Sequence, residues 1–219
     1  MLVEAGSVRL AHAQLAVGIA VASRVALPGQ TIPLPVFLDT AGFDLSGLIN
    51  DIELDTGIHI PPMDVTQRVE CRMTQLLPGE ESGFGRVPLS CMPDRNCIGV
   101  RAFILALGGG FENGELYRCN VAVARDARPG TYRLRCTNAG TATLGAEDLP
   151  TVCSDGEIRV TDRAGDCDGD GLVTIDELVR GVAVTMGELA LEECAPLDGD
   201  LDGRARVNDV VRAVASALG

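Results

Sequence analysis

The sequence predicts a mostly β protein that ends in a small all-α unit. Between residues 14 and 161, short stretches of alternating apolar residues are separated by turns containing Pro and Gly, which is typical of a β-sandwich. After Asp162 the spacing of the apolar residues changes to that of amphipathic helices. We therefore expect three parts in chain order: an N-terminal extension of residues 1–13, a sandwich over residues 14–161 and a helical unit over residues 162–219.

The first strands follow from apolar residues that recur with a period of two. Such stretches cover residues 15–21, 32–38 and 48–54. Pro33 and Pro35 share one parity of the second stretch, and a proline cannot donate a hydrogen bond to a neighbouring strand. We therefore expect the second strand to lie at the edge of a sheet.

The middle of the sandwich gives a weaker pattern. Residues 56–98 contain several Pro and Gly residues and predict irregular structure. Residues 100–107 are apolar on both parities apart from Arg101, which is typical of a central strand covered on both faces. A last short strand is predicted at residues 157–160, which brings the expected total to roughly eight or nine.

A β-hairpin is predicted between residues 117–123 and residues 132–136. Both stretches alternate, and the link between them ends in a Pro-Gly pair. A symmetric register would place Cys119 opposite Cys136, while Cys136 could equally pair with Cys153 across a short loop. The sequence leaves this connectivity open.

The chain contains eight cysteines, an even number that favours a disulfide-bonded protein outside the cytoplasm. The alternative is a cytosolic protein with buried thiols. Cys91 and Cys97 flank a short turn, and their spacing fits a disulfide that closes this loop. Residues 11–13 resemble a signal-peptidase site, which would make residues 1–13 the remnant of a signal segment; the simpler interpretation is an unstructured N-terminus. No stretch is long and apolar enough to predict a membrane span.

The net charge of −13 is concentrated near the C-terminus, where residues 162–219 carry −8. This part of the chain would repel the phosphates of nucleic acid, so nucleic acid is not expected as a partner. The charge favours a cation or a basic protein partner.

The first acidic loop, residues 166–177, reads DCDGDGLVTIDE and fits a calcium-binding loop of the EF-hand type position by position. A hard divalent cation takes about six to eight oxygens, and acids at alternate positions of a tight loop converge on one point. The alternative is an acidic surface turn. The predicted ligands are the side chains of Asp166, Asp168, Asp170, Thr174 (through water) and Glu177, and the backbone carbonyl of Leu172.

The second acidic loop, residues 198–209, repeats the pattern with two departures. Arg206 stands at position 9, where a cationic side chain cannot accept or bridge, and Ala205 replaces a larger apolar residue. We expect Ca²⁺ in both loops, with weaker binding in the second; the alternative is a second loop that binds no ion. The predicted ligands are the side chains of Asp198, Asp200, Asp202 and Asp209, and the backbone carbonyl of Arg204.

Each acidic loop is followed, but not preceded, by a predicted helix. A strand precedes the first loop, and Pro196 stands before the second. Cys167 and Cys194 could join the two loop–helix units. The apolar helix positions could pack the helices together or face a partner; they are Ile175, Leu178, Val179 and Val182 in the first helix and Val207, Val210, Val211, Val214 and Leu218 in the second.

Two such units at the end of a chain resemble a dockerin of type I. The resemblance rests on DCDGDGLVTIDELVRG (166–181) and DGDLDGRARVNDVVRA (198–213). Where dockerins often carry Lys-Arg, this sequence has Val-Ala, at 182–183 and 214–215. The resemblance implies that the helices bind a cohesin.

The preceding part of the chain resembles a cohesin. The resemblance implies a jelly-roll β-sandwich that receives a dockerin-like partner, which a second copy of the chain could supply. It rests on PGQT at 28–31, GEL at 114–116, DA at 126–127, PGTY at 129–132 and GEIRV at 156–160.

These observations predict a calcium-binding, non-catalytic module for protein–protein assembly outside the cell. Its expected partner is a cohesin- or dockerin-like domain, with self-association as one form. The alternative is a cell-surface protein that binds carbohydrate or is associated with polysaccharide degradation. Against carbohydrate binding, the chain has no Trp for a sugar-stacking platform, and both tyrosines fall on predicted core faces. Catalysis is not expected, because the acids outside the loops are scattered and His12 and His59 lie in no catalytic motif.

Overall fold

The computed structural model describes residues 15–61, 69–77, 79–89, 91, 97–108 and 110–218. The extension predicted at residues 1–13 lies outside them. The described strands are β1 (Val17–Val21), β2 (Arg24–Ala26), β3 (Thr31–Asp39), β4 (Gly47–Leu54), β5 (Ile58–His59), β6 (Cys71–Met73), β7 (Glu80–Val87), β8 (Gly99–Ala106), β9 (Gly114–Val123), β10 (Gly130–Ala142), β11 (Asp148–Leu149), β12 (Thr151–Ser154) and β13 (Gly156–Val160). They are followed by α1 (Ile175–Met186), a 3-10 segment (Leu191–Leu197) and α2 (Val207–Leu218).

The strands form two sheets that enclose one core. One sheet has the order β12–β1–β3–β9–β5, with β6 also paired to β9. The other has the order β2–β13–β10–β4–β8–β7, with β11 also paired to β10. The apolar residues of alternating strands meet between the sheets, which confirms the predicted β-sandwich; fully buried examples are Ile19, Leu34, Ile52, Ile104 and Leu134.

The beginning and the end of the sandwich run side by side. β1 pairs in parallel with β12, and after a short crossing β2 pairs in parallel with β13 in the other sheet. At the crossing the two backbones are so close that a Cβ on Gly156 would stand 2.5 Å from the carbonyl oxygen of Ala22. The first strands therefore fix the position of the last ones.

The predicted hairpin is wrong, because its two strands belong to different sheets. β9 pairs with β3, β5 and β6, whereas β10 pairs with β4, β11 and β13. A Pro-Gly turn can connect two strands that pair with each other or two strands that lie in different sheets. The strands alternate between buried and exposed residues in both cases, so the sequence pattern does not distinguish them. Cys119 is bonded to Cys71 on β6, and Cys136 is bonded to Cys153.

The prediction that β3 is an edge strand is also wrong. β3 lies between β1 and β9, but β1 pairs only with residues 36–39. Pro33 and Pro35 are paired with β9. Pro33 lies beyond the β1 ladder, and Pro35 takes part at its end only through its carbonyl, which accepts from the N–H of Ala22 at 3.1 Å. The two prolines are tolerated because the β1 ladder ends beside them and uses no N–H of either residue.

Two further expectations for the sandwich need correction. β8 is central in its sheet, yet Phe103 is 47% exposed on its outer face, so the strand is covered on one face only. Residues 56–98 were expected to be irregular but contain β5, β6 and β7. The sequence of β7, EESGFGRV, has no apolar alternation, because this strand lies at the end of its sheet and buries little.

The C-terminal unit has a small core of its own, and both predicted helices form. Its disulfide Cys167–Cys194 joins the first acidic loop to the 3-10 segment. The expected disulfide Cys91–Cys97 also forms. With the two disulfides of the sandwich described above, all eight cysteines are paired. In the described part of the chain, no helix has the length and hydrophobicity that a membrane crossing needs. The core of the unit consists of Cys167, Val184, Cys194, Leu197 and Ala213.

The C-terminal unit packs directly on the sandwich. Ala195 of the 3-10 segment joins the sandwich core. Gln30, which is 4% exposed, donates from Nε2 to the carbonyl of Ala195 at 2.6 Å and accepts from the N–H of Leu27 at 2.9 Å. This buried contact joins the 3-10 segment to the turn between β2 and β3.

Candidate metal-binding loops

The first acidic loop brings three predicted ligands together. Ligand atoms of Asp166, Asp168 and Glu177 all lie within 4.8 Å of one another. Asp166 is 0% exposed, and Glu177 is also buried. Asp170 lies outside this group, and its Oδ1 accepts from the N–H of Leu172 at 2.8 Å.

Asp166 is held entirely by neutral donors. Its Oδ1 accepts from the N–H groups of Gly169 at 2.8 Å and Asp170 at 3.1 Å. Its Oδ2 accepts from the N–H of Gly171 at 3.0 Å and from the hydroxyl of Thr161 at 2.6 Å. These donors orient both oxygens but leave the negative charge of a buried carboxylate without a cation.

Glu177 both closes the first loop and lies in the first turn of α1. Its Oε1 accepts from the N–H of Cys167 at 2.7 Å and of Asp168 at 3.2 Å. Its Oε2 accepts from the N–H of Thr174 at 2.8 Å, while Thr174 caps the helix by accepting from the N–H of Glu177. This capping box explains why position 12 of the loop is also the third residue of the helix.

The second acidic loop also collects carboxylates. Ligand atoms of Asp198, Asp200 and Asp202 lie within 4.8 Å of one another. Asp198 is 3% exposed and accepts from the N–H of Asp202 at 3.1 Å and of Gly203 at 2.9 Å. Asp209 is outside this group but fully buried, and its Oδ1 has no hydrogen-bond partner among the residues that the structure describes.

The two loops fit a hard divalent cation. A buried oxygen without a partner, such as Oδ1 of Asp209, costs about 1–3 kcal/mol, and buried carboxylates with only neutral donors carry a further electrostatic penalty. A cation coordinated by these oxygens would remove both penalties. A donor set made of oxygen alone suits Ca²⁺ or Mg²⁺ and does not suit a softer metal.

Arg206 places a positive charge on a predicted ligand of the second loop. Its guanidinium forms an ion pair with Oδ2 of Asp202 four residues earlier. Asp200 is engaged as well, because its Oδ2 accepts from Nδ2 of Asn208 at 3.0 Å. A cation entering this loop would have to displace the guanidinium, which supports the expectation of weaker binding there.

The electrostatics of Asp198 make its environment sensitive to pH. Burial raises the pKa of Asp198, the neighbouring Asp202 and Asp200 raise it further, and the N–H groups of Gly203 and Asp202 partly oppose this. Without a cation, the folded state therefore binds this proton more tightly than the unfolded state. The stabilising contribution is complete below the unfolded pKa of about 3.9 and is lost as the pH rises through the raised folded pKa.

We expect Asp198→Asn to reveal this dependence in EDTA. Because asparagine does not titrate, the free energy of unfolding of the wild type should rise relative to that of the variant as the pH falls from neutrality towards the unfolded pKa of about 3.9. Urea unfolding of both proteins across this range measures the difference. A difference that does not change with pH would show that Asp198 has its ordinary pKa.

Each of the two helices, which follow the acidic loops in the chain, exposes a stripe of apolar side chains. Leu178 and Val210 pack on the small core of the unit. The remaining apolar positions follow the same spacing in both helices and face solvent. The stripe of α1 consists of Ile175 (79% exposed), Val179 (64%), Val182 (45%) and Met186 (68%), and that of α2 of Val207 (72%), Val211 (61%), Val214 (39%) and Leu218 (84%).

A second apolar surface lies on the outer face of the β4–β8–β7 region. Phe103 and the 70% exposed Leu89 flank the glycines of β7, beside Ile49. An ion pair between Arg101 and Asp51, with two contacts of 2.6 Å, adjoins it. The sequence does not predict this surface, because apolar residues on both parities of 100–107 are typical of a strand buried on both faces.

Comparisons with known proteins bear on the fold of the sandwich. No family model and no curated protein matches the sequence. The structure is similar to a non-cellulosomal cohesin from the hyperthermophilic archaeon Archaeoglobus fulgidus, with a TM-score of 0.52 and 11% identity over 66% of this chain and 91% of that chain. It is also similar to the type III cohesin module of the cell-surface anchoring scaffoldin ScaE from Ruminococcus flavefaciens, with a TM-score of 0.53 and 12% identity over 72% and 94%.

A third similar structure is the sixth cohesin from scaffoldin B of Acetivibrio cellulolyticus, in complex with a mutant Cel5 dockerin. Its TM-score is 0.52, with 11% identity over 66% of this chain and 99% of that chain. At such identities the likeness shows the fold alone. The β-sandwich of this chain therefore has a cohesin-like fold.

Proposed function

We propose that this chain is a calcium-binding, non-catalytic module for protein–protein assembly of the cohesin–dockerin type, acting outside the cell. One observation carries the proposal: each of two helices exposes an apolar stripe of identical spacing, directly after a loop of clustered carboxylates, some of them buried. Paired apolar stripes on a small acidic unit are expected to be covered by a partner.

The calcium part of the proposal rests on the loops. Asp166, Asp168 and Glu177 would hold the ion in the first loop, with Asp170, Thr174 and the carbonyl of Leu172 completing its shell. Asp198, Asp200, Asp202, Asp209 and the carbonyl of Arg204 would do so in the second. When bound, the ion neutralises the loop carboxylates and fixes the start of each helix, so it acts on structure and on no reaction.

The partner is proposed to be a cohesin- or dockerin-like domain. The cohesin-like fold of the sandwich supports this choice, since one of the similar cohesins is described in complex with a dockerin. The apolar stripes of α1 and α2 and the apolar surface around Phe103 would be the two contact regions. A second copy of the chain carries both, so self-association is included in the proposal.

Action outside the cell is supported by the disulfides. Four disulfides pair all eight cysteines, and such a number persists in oxidising compartments. One of them, Cys167–Cys194, joins the first acidic loop to the segment in front of the second.

The double variant Val179→Asp/Val211→Asp tests the role of the stripes. Each change places a charge in the middle of one stripe, so we expect calcium-dependent association to weaken at least about tenfold. Sedimentation velocity of the full chain, in calcium and in EDTA, measures self-association. Calorimetric titration with a panel of cohesin and dockerin domains measures binding to other partners.

Leu144→Asp serves as the matched control, because Leu144 is a 56% exposed apolar residue in a turn away from both stripes. It should leave association unchanged. The proposal is wrong if the wild type in saturating calcium neither self-associates nor binds any domain of the panel. Depletion of the chain by cellulose, chitin or xylan would favour the carbohydrate-binding alternative instead.

A further inference from the structure

Thr161, which follows the last strand of the sandwich, contacts the first acidic loop through its side chain. Its hydroxyl donates to Oδ2 of Asp166 at 2.6 Å, and both residues are buried, with 4% and 0% exposure. The N–H of Thr161 donates to the carbonyl of Ala26 on β2 at 3.1 Å. Its hydroxyl also accepts from the N–H of Arg163 at 3.2 Å, so three hydrogen bonds fix this residue.

The first loop meets the sandwich at a second place. Arg159 of β13 donates from Nη1 to the carbonyl of Asp168 at 3.3 Å. A Cβ on Gly169 would stand 2.9 Å from the Cβ of Arg159 and 3.2 Å from a methyl group of Val25. The loop therefore lies directly against β2 and β13, with no room for a side chain at position 4.

The carboxylates of the second loop receive no hydrogen bond from the described residues of the sandwich. Within the described residues, the hydrogen bonds to these carboxylates come from the loop itself, from the N–H groups of Asp202, Gly203 and Arg206 and the side chains of Arg206 and Asn208. Its contact with the sandwich is apolar, from the side chain of Leu201 towards Gly29. The two loops thus differ in their dependence on the sandwich.

We propose that Thr161 is a positioning residue for the cation of the first loop, so that the sandwich supplies part of this metal site. The inference rests on the proposed calcium binding. A hydrogen bond to a ligating carboxylate fixes its orientation, and loss of such a partner typically weakens metal binding about 10–100-fold. Because coupling is reciprocal, calcium in the first loop also strengthens the attachment of the C-terminal unit to the sandwich.

Calcium titration of the full chain by NMR separates the two loops. The amides of Gly171 and Gly203 each donate to the first aspartate of their own loop, so each reports one site. We expect Thr161→Val to raise the calcium midpoint at Gly171 roughly 10–100-fold and to change that at Gly203 less than about twofold. Thr161→Ser, which keeps the hydroxyl, should restore the midpoint at Gly171.

Thr141→Val is the matched control. Thr141 is also 4% exposed and shares a 2.7 Å hydrogen bond with the hydroxyl of Thr151 inside the sandwich, away from both loops. It should leave both midpoints unchanged. If Thr161→Val does not fold, Thr161→Ala removes the same hydroxyl without adding a methyl group in its place.

Two results would overturn the inference while leaving calcium binding intact. One is a wild-type midpoint at Gly171 in the variant that lacks the hydroxyl. The other is an equal shift at Gly171 and Gly203, which would indicate a general loss of stability. If neither amide of the wild type responds to millimolar calcium, the proposed calcium binding is itself wrong, and the role of Thr161 falls with it.

Discussion

Calcium at millimolar concentration is expected to raise the melting temperature of the full chain, and EDTA is expected to reverse the rise. A ligand present at about 100 times its dissociation constant stabilises the folded state by about 2.7 kcal/mol for each occupied site. For a chain of this size, that corresponds to roughly 5–10 °C per loop. Differential scanning calorimetry in calcium and in EDTA measures the change.

The buried carboxylates are the physical reason for so large a change. Asp166 and Asp209 are 0% exposed, and their hydrogen-bond partners are neutral or incomplete. In the unfolded chain these groups are hydrated, so folding without a cation removes water and gives no charge in return. A cation that binds these loops would supply that charge only in the folded state, which is the condition for stabilisation by binding.

Two variants show which loop is responsible. Asp166→Asn should abolish the larger part of the calcium-dependent rise, whereas Asp198→Asn should abolish the smaller part, because Arg206 already occupies Asp202 in the second loop. Magnesium at the same concentration should stabilise less, since it demands a tighter octahedral shell. Equal melting temperatures in calcium and EDTA would contradict calcium binding, and equal losses in the two variants would contradict the ranking of the loops.

Gly165→Ala is expected to be the most destabilising single change at the junction of the two loop–helix units. Gly165 has φ of +93°, and a Cβ there would stand 2.5 Å from the Cβ of Ala213 on α2. The left-handed backbone costs a residue with a side chain about 1–2 kcal/mol, and overpacking adds about 1–3 kcal/mol. The variant should therefore separate α2 from the start of the first loop.

Gly187→Ala is the matched control for backbone strain alone. Gly187 ends α1 with φ of +78°, and a Cβ there would meet nothing within 4 Å. Urea unfolding in EDTA should show a loss of stability for Gly165→Ala that is at least about twice that for Gly187→Ala. Similar losses would mean that Ala213 does not pack closely on Gly165.

The acidic loops and the helices after them could be predicted because their signals are local. Twelve consecutive residues define each loop, and the spacing of Ile175, Val179 and Val182 gives the helical period of α1. The sequence could not say which apolar residues of a helix are covered. Leu178 packs on the small core of the unit, most of whose residues lie outside α1 in the chain.

The features that the sequence did not predict depend on contacts between distant residues. Asn50 interrupts an apolar stretch because its side chain has a partner on the opposite sheet: Nδ2 of Asn50 donates to the hydroxyl of Tyr117 at 2.9 Å. The hairpin was wrong for the same reason, because the link after β9 leads to the other sheet. The role of Gln30 is set by Ala195, which is 165 residues away. No local pattern carries such information.

The parallel pairing of the first and last strands of the sandwich constrains the order in which parts of the protein can fold during synthesis. During synthesis β1 can pair with β3, but its other side stays open until β12 has emerged, because Val17 lies beside Thr151. Closing so long a stretch of chain is slow. Thr161 reaches its place on Ala26 only after this closure, so Asp166 receives its buried hydroxyl last. A nascent chain would therefore complete its β-sheets before the hydroxyl of Thr161 can donate to Asp166.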